Sequence, residues 1–200
     1  MSAGLLYLAS ASPRRRELLD QIGVPCVVRP VNIDEARQAE ETPRDYVLRL
    51  ARDKAQAAWS RFAASEGNSV LAADTAVVLG SEIFGKPRDP TEGSIMLARL
   101  SGRTHEVLTA VALRTRTGLE VRLSASQVTF RELAQGESER YWNTGEPADK
   151  AGAYAIQGHG AMFITHLSGS YSGVMGLPLF ETAELLQRAG FDLWMPTPLR

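Results

Sequence analysis

The feature that most constrains this chain is the apolar run from Val70 to Leu79, interrupted near its centre by Asp74. Val70-Leu71-Ala72-Ala73 and Ala76-Val77-Val78-Leu79 on either side read as one strongly apolar strand. A carboxylate inside such a strand is costly to bury unless it is paired or holds a metal. It escapes the cost where the strand opens onto a cleft, and there it can bind Mg²⁺ or Mn²⁺ or act as a base on water. An ion pair that fixes strand register would serve equally well, and the residue types alone leave both readings open.

The other elements follow from period and punctuation. Leu5 to Ala9 reads as a buried strand, and Ser12 and Pro13 as the N-cap and first residue of a helix running toward Gly23. Cys26 to Pro30 reads as a second strand. Thr42-Pro43 opens a longer helix with Tyr46, Val47, Leu50, Ala51, Ala58 and Phe62 at helical spacing. A helix begins at Pro90 or Thr91 and ends near Leu100. Alternation from His105 to Leu113 and from Val121 to Phe130, around Thr117-Gly118, predicts a long antiparallel hairpin. Glu137 to Trp142 is expected to be helical, Tyr154–Ile156 and Met162–Leu167 to be strands around a Gly-rich turn, and Pro178 to Ala189 the last helix, with a loosely attached tail from Phe191. Strands mixed with helices, one pair being a hairpin, predict an α/β chain with a mixed sheet and covering helices rather than a purely parallel one. The 200 residues suit a single domain, 1–200, or two tightly joined lobes.

Composition narrows the function classes. Hydrophobic residues make up 44% and charged residues 22%, enough apolar material for a sizeable core. The net charge of -1 provides no global field for nucleic acid, so a polyanion must be gripped by local groups. Cys26 is the single cysteine, which excludes an internal disulfide and a cysteine metal cluster. The first ten residues do not read as a signal peptide, and no run approaches the ~18 apolar residues of a membrane span. A cytoplasmic location is the expectation.

Several polar groups could carry chemistry. Ser10-Ala11-Ser12-Pro13-Arg14-Arg15-Arg16 sits between a strand and a helix N-terminus. Three arginines there oppose the helix dipole, whereas a bound phosphate would suit both the N–H donors and the guanidinium forks. Glu35, after the second strand, is a candidate second carboxylate for a hard divalent ion. Lys54 falls on the apolar stripe of its helix, so it either snorkels outward or reaches over a cleft rim to a phosphate. Gly80 to Lys86 approaches a phosphate-loop pattern, but Pro87 stands where Ser or Thr must hold the metal, and the glycines read better as turns. Lys86 remains a candidate phosphate contact. The stretch from Asp149 to Gly160 is rich in small residues, and its Gln157 can make paired hydrogen bonds to a base edge. No GxSxG element exists and nothing activates Cys26, so a covalent nucleophile is disfavoured.

Taken in order, Leu8-Ala9-Ser10-Ala11-Ser12-Pro13-Arg14-Arg15, Asp34-Glu35, Lys54-Ala55, Ala73-Asp74-Thr75, Gly85-Lys86-Pro87, Leu100-Ser101-Gly102, Asp149 to Tyr154, Ile156-Gln157-Gly158, Gly169-Ser170-Tyr171 and Gly176-Leu177-Pro178-Leu179 resemble the Maf family over about Leu5 to Gln187. The resemblance implies an elongated α/β fold with two lobes around a cleft, similar to inosine triphosphate pyrophosphatases. It implies hydrolysis of a nucleoside triphosphate to the monophosphate and pyrophosphate with a divalent metal, Mg²⁺ or Mn²⁺. Under it, Asp74 is the proton acceptor, Glu35 serves the metal with Asp74, and Ser10, Arg14, Arg15, Lys54 and Lys86 contact the triphosphate. Arg14, Thr75 and Gln157 match positions tied to substrate choice. Thr75 and Gln157 look like the subgroup acting on dTTP and UTP, with modified pyrimidine nucleotides also in range. The alternatives are the 7-methyl-GTP subgroup, which tends to carry Gln and Glu at those two positions, and a non-catalytic nucleotide-sensing regulator of septum formation. A homodimer is expected, with no nucleic acid and no membrane partner.

Overall fold

A computed structural model of the chain describes residues 4–64 and 68–194. The elements are β1 (Leu6–Leu8), α1 (Pro13–Gln21), β2 (Val27–Val28), α2 (Pro43–Ala58, continued by a π-helical turn, Trp59–Ala63), β3 (Ser69–Leu79), β4 (Glu82–Phe84), α3 (Pro90–Leu100), β5 (Thr104–Thr115), β6 (Gly118–Phe130), α4 (Glu137–Trp142), β7 (Ile164–Ser168), α5 (Tyr171–Met175) and α6 (Leu179–Arg188). The strands form one mixed sheet in the order β2-β1-β3-β5-β6-β7, with β4 also on β3. β1 is parallel to β2 and β3, and the remaining pairs are antiparallel.

The pairing of β3 creates the cleft. One edge of β3 is bonded to β5 from Val70 to Val78. The opposite edge is shared by two short strands, β1 opposite Ser69–Leu71 and β4 opposite Val77–Leu79. Between them, residues 72–76 of β3 have no strand on that side, so the sheet carries a notch with Asp74 at its middle. Only β3 and the long β5–β6 hairpin run continuously past it.

Packing divides along the same line. On one face, Val47, Ala51 and Ala55 of α2 cover Val70, Ala72 and Ala76 of β3 and Leu108, Ala110 and Ala112 of β5. On the other, Leu18 and Leu19 of α1 and Leu185 and Leu186 of α6 cover Leu6, Leu8, Leu71, Ala73 and Val111. A third cluster lies beyond the notch, where Met96, Leu97 and Leu100 of α3 pack on Val77, Phe84, Val107 and Phe130. The first two clusters build one lobe and the third builds the other. α1 and α2 lie on opposite faces because β2 and β3 flank β1 on opposite sides. Ligands of α/β sheets bind at such a reversal, beyond the strand carboxyl ends.

The mixed sheet, covering helices and long hairpin match the sequence expectation. Three local expectations do not. Tyr154–Ile156 is not a strand, because Gly152 and Ala153 both take left-handed backbone (φ 68° and 59°) and turn the chain away from any partner. The strand expected from Met162 starts at Ile164, since His159–Phe163 forms a 3₁₀ turn. The strand expected over Cys26–Pro30 contracts to Val27–Val28. The tail expected from Phe191 falls mostly outside the described residues; within them, Phe191 and Leu193 pack against the α1–α6 cluster.

Leu71 is fully buried at the centre of this arrangement. Leu71→Ala should destabilise the protein by about 2–5 kcal/mol through lost transfer energy and a residual cavity. Ile95→Ala, on an exposed position of α3, should stay within about 0.5 kcal/mol. Urea midpoints at constant m-value would check the contrast.

Candidate active site

The notch opens into a cleft of about 690 Å³ whose lining includes Ser10, Arg14, Arg15, Glu35, Lys54, Asp74, Thr75, Lys86 and Gln157. All nine residues singled out from the sequence therefore surround one space, although they come from segments up to 147 positions apart in the chain. Asp149, Lys150 and Tyr46 line it as well.

Side-chain alternation along β3 sorts the site by face. Asp74 points to the α2 face and is buried, with a relative exposure of 7%. There it meets Lys54, whose Nζ lies 2.7 Å from Asp74 Oδ1 and 2.7 Å from Glu35 Oε1. Lys54 neither snorkels outward nor stands free on the rim: its ammonium sits between two carboxylates. Burial pushes the Asp74 carboxyl above its ordinary range, opposed by the charge and hydrogen bond of Lys54 and by the charge of Arg15. Glu35 is exposed and its segment is tied to α2 by the Tyr46 hydroxyl, which donates to the Glu35 carbonyl at 3.1 Å.

Thr75 points to the opposite face, toward α1. Arg15 donates from Nη2 to Thr75 Oγ1 (3.3 Å), from Nη1 to Ser10 Oγ (3.2 Å) and from Nε to the Gly176 carbonyl (2.7 Å). Burial lowers the Arg15 pKa, with Asp74 pulling it back up; an arginine nonetheless stays charged. Behind Thr75 lies Thr109 of β5, fully buried, whose hydroxyl donates to the Gly173 carbonyl at 2.7 Å and lies 3.0 Å from Thr75 Oγ1. The hydroxyl thereby ties α5 to the notch. Gly176, in left-handed backbone at φ 119°, lets the chain pass close to Arg15 and Thr75.

The N-terminus of α1 faces the same space. Its N-cap, Ser12, makes no side-chain cap bond, and its first turn holds no acidic residue. Spare N–H donors and the positive end of the dipole are therefore left for an anion. Arg14 bonds Asp149 at 3.4 Å, and Lys150 also pairs with Asp149. Burial alone would raise the Asp149 carboxyl, but its bonds to Lys150 and Arg14 outweigh that and hold it low. Lys86 is exposed, with no partner among the described residues. The cleft lining carries five cations, Arg14, Arg15, Lys54, Lys86 and Lys150, against Glu35, Asp74 and Asp149, a local positive excess in a chain of net charge -1.

Among the described residues no three His, Cys, Asp or Glu side chains cluster as a metal site. Glu35 and Asp74 are the available pair, and both already converge on one cation, the Lys54 ammonium. Two carboxylates suit an ion that takes its other ligands from water and phosphate oxygens, as Mg²⁺ does.

Sequence reading did not assign Asp149, Lys150, Tyr46 or Thr109 to the site. Thr109 did carry a signal, a hydroxyl within an apolar strand like the carboxylate of Asp74. Asp149 and Lys150 fall in a stretch that carries the family resemblance, without a role of their own there, and Tyr46 had no signal, because an aromatic at helical spacing is ordinary.

Residues 5–189 match the family model described as Maf-like protein. A protein of Saccharophagus degradans named dTTP/UTP pyrophosphatase is 52% identical over 191 residues, 94% of this chain and 90% of the relative. One of Methylobacillus flagellatus with the same name is 55% identical over 185 residues, 92% of each chain. Among solved structures, the Staphylococcus aureus Ham1 protein is 14% identical with a TM-score of 0.48, covering 92% of this chain and 96% of that one. From the family match and identities above one half along nearly its whole length, this chain belongs to the Maf family.

Proposed function

We propose that the chain is a nucleoside triphosphate pyrophosphatase acting on dTTP and UTP. The observation that carries the reading is the buried Asp74–Lys54 pair in a notch whose opposite wall is the open N-terminus of α1 with Arg14 and Arg15. The named relatives supply the choice of nucleotide.

In this reading the triphosphate lies against the α1 N-terminus, with Ser10, Arg14, Arg15 and Lys86 donating to its oxygens. Asp74 takes a proton from the water that attacks the α-phosphorus. The bond from that phosphorus to the bridging oxygen breaks, and pyrophosphate leaves with the electron pair. Arginine and lysine neutralise the charge that gathers on it, which lowers the barrier more in a desolvated cleft than in water. The raised pKa of Asp74 makes it a stronger base than an exposed carboxylate. A divalent ion held by Glu35 and Asp74 would add positive charge at the phosphate oxygens. With phosphate present, Lys54 has a third anionic partner within the same cleft, beside Asp74 and Glu35.

Thr75 and Gln157 are the base-side candidates. Thr75 is fixed by Arg15 and Thr109, while Gln157 is exposed and lines the cleft. The same reading takes the protein as a cytoplasmic homodimer, supported by the prevalence of two-fold oligomers. No helix among the described residues is long and apolar enough to cross a membrane. Light scattering at micromolar concentration should return twice the 21.8 kDa chain mass; a monomer would remove the dimer from the reading.

Pyrophosphate release across a panel of triphosphates, with and without Mg²⁺ or Mn²⁺, should show metal-dependent cleavage of dTTP and UTP ahead of the others. Preference for 7-methyl-GTP, or tight DNA binding with no turnover, would overturn the assignment. Asp74→Asn should lower turnover about 10²–10⁴-fold, the range for loss of a general base. Turnover within a few-fold of the parent, in a protein with unchanged circular dichroism, would remove Asp74 from the mechanism.

A further inference from the structure

Gln157 reaches the cleft from a loop whose shape is set elsewhere. The chain on either side of it is pinned by two residues outside the cleft lining, Glu146 and Tyr141. Before Gln157, the Ala155 amide donates to the Tyr141 hydroxyl at 3.0 Å, and that hydroxyl donates to Glu146 Oε1 at 2.6 Å. After it, the Gly160 amide donates to Glu146 Oε1 at 3.0 Å and the His159 amide to Oε2 at 2.9 Å, with His159 Nδ1 3.1 Å from the same oxygen. One carboxylate and one phenol thus close a ring of hydrogen bonds beneath the exposed Gln157 side chain.

The fit is steric as well as polar. A Cβ at Gly158 would stand 2.2 Å from Glu146 Oε2, and one at Gly160 would stand 2.6 Å from the Ala155 carbonyl and 2.8 Å from the Tyr141 hydroxyl. The two glycines let the loop close down on the clamp. Tyr141 is itself fixed in the second lobe, 4% exposed and edge-on to Phe163. The clamp therefore refers the position of Gln157 to the rigid core of that lobe.

We infer that Glu146 and Tyr141 are positioning residues for substrate discrimination, acting through Gln157 by holding its loop at one height over the cleft. The inference rests on the pyrophosphatase reading above, with Gln157 facing the base. An ionised carboxylate suits the clamp because it only accepts hydrogen bonds. A glutamine there would turn an N–H₂ group toward backbone N–H donors in either flip, toward Gly160 in one and His159 in the other. The loop would then move although the side chain's size is nearly unchanged.

The test is kcat/KM for dTTP and UTP against the remaining triphosphates in Glu146→Gln, Gln157→Ala and the double variant. Tyr141→Phe, which removes only the hydroxyl, serves if Glu146→Gln does not fold. Discrimination should fall at least about tenfold in Glu146→Gln, the scale of one net hydrogen bond. In the Gln157→Ala background the same change should alter discrimination no further. A uniform loss for every nucleotide, or effects that add, would reduce Glu146 to a structural role and overturn the inference. Unchanged discrimination with an active parent would sink the clamp alone, whereas an inactive parent would sink it together with the pyrophosphatase reading.

Discussion

The site depends on a carboxylate held inside a sheet. Asp74 could not remain in the middle of β3 without a cation, because an ionised group moved away from water costs several kcal/mol unless paired. Lys54 meets that need from α2, and Glu35 shares the same ammonium. Breaking such a pair by removing one partner typically costs about 3–5 kcal/mol, since the remaining charge is left buried. The pairing offsets the cost of burial, while burial itself keeps the Asp74 carboxyl above its ordinary range beside an open cleft.

The notch itself is a matter of strand length. β3 has eleven residues, while β1 and β4 have three each. Longer partners would meet along the β3 edge and close the sheet over Asp74. Because they stop short, both faces of β3 at Asp74 and Thr75 reach the same cleft. Asp74 draws its partner from α2, and Thr75 draws Arg15 from α1 and Thr109 from β5. Two adjacent residues thereby divide the proposed work, one toward the reacting phosphate and one toward the base.

Charge follows the same economy. The chain is near neutral overall, yet its cleft gathers more cations than carboxylates and ends on an uncapped helix N-terminus. A low-dielectric cleft with a net excess of one sign of charge concentrates field on an anionic ligand without making the whole surface sticky to polyanions. The second lobe adds Lys86 and the Gln157 loop, so both walls contribute to any ligand between them.

Much of this was legible in the residues. Alternation in β5 and β6, the Thr42-Pro43 and Ser12-Pro13 helix starts, and Asp74 within its apolar run are local patterns fixed by period and capping. The short α5, a five-residue helix, has too few turns for a period to be read, and the left-handed pair at Gly152 and Ala153 gave no local warning at the alanine. Sequence alone determined which residues were out of place for a plain core: a carboxylate in a strand, a lysine on an apolar stripe, arginines at a helix start. Tertiary structure alone decided what each was out of place for. It set Lys54 between Asp74 and Glu35, Arg15 against Gly176, and Glu146 beneath the Gln157 loop. Those contacts join residues 13 to 161 positions apart, and hydrogen bonds act over about 3 Å of space regardless of distance along the chain.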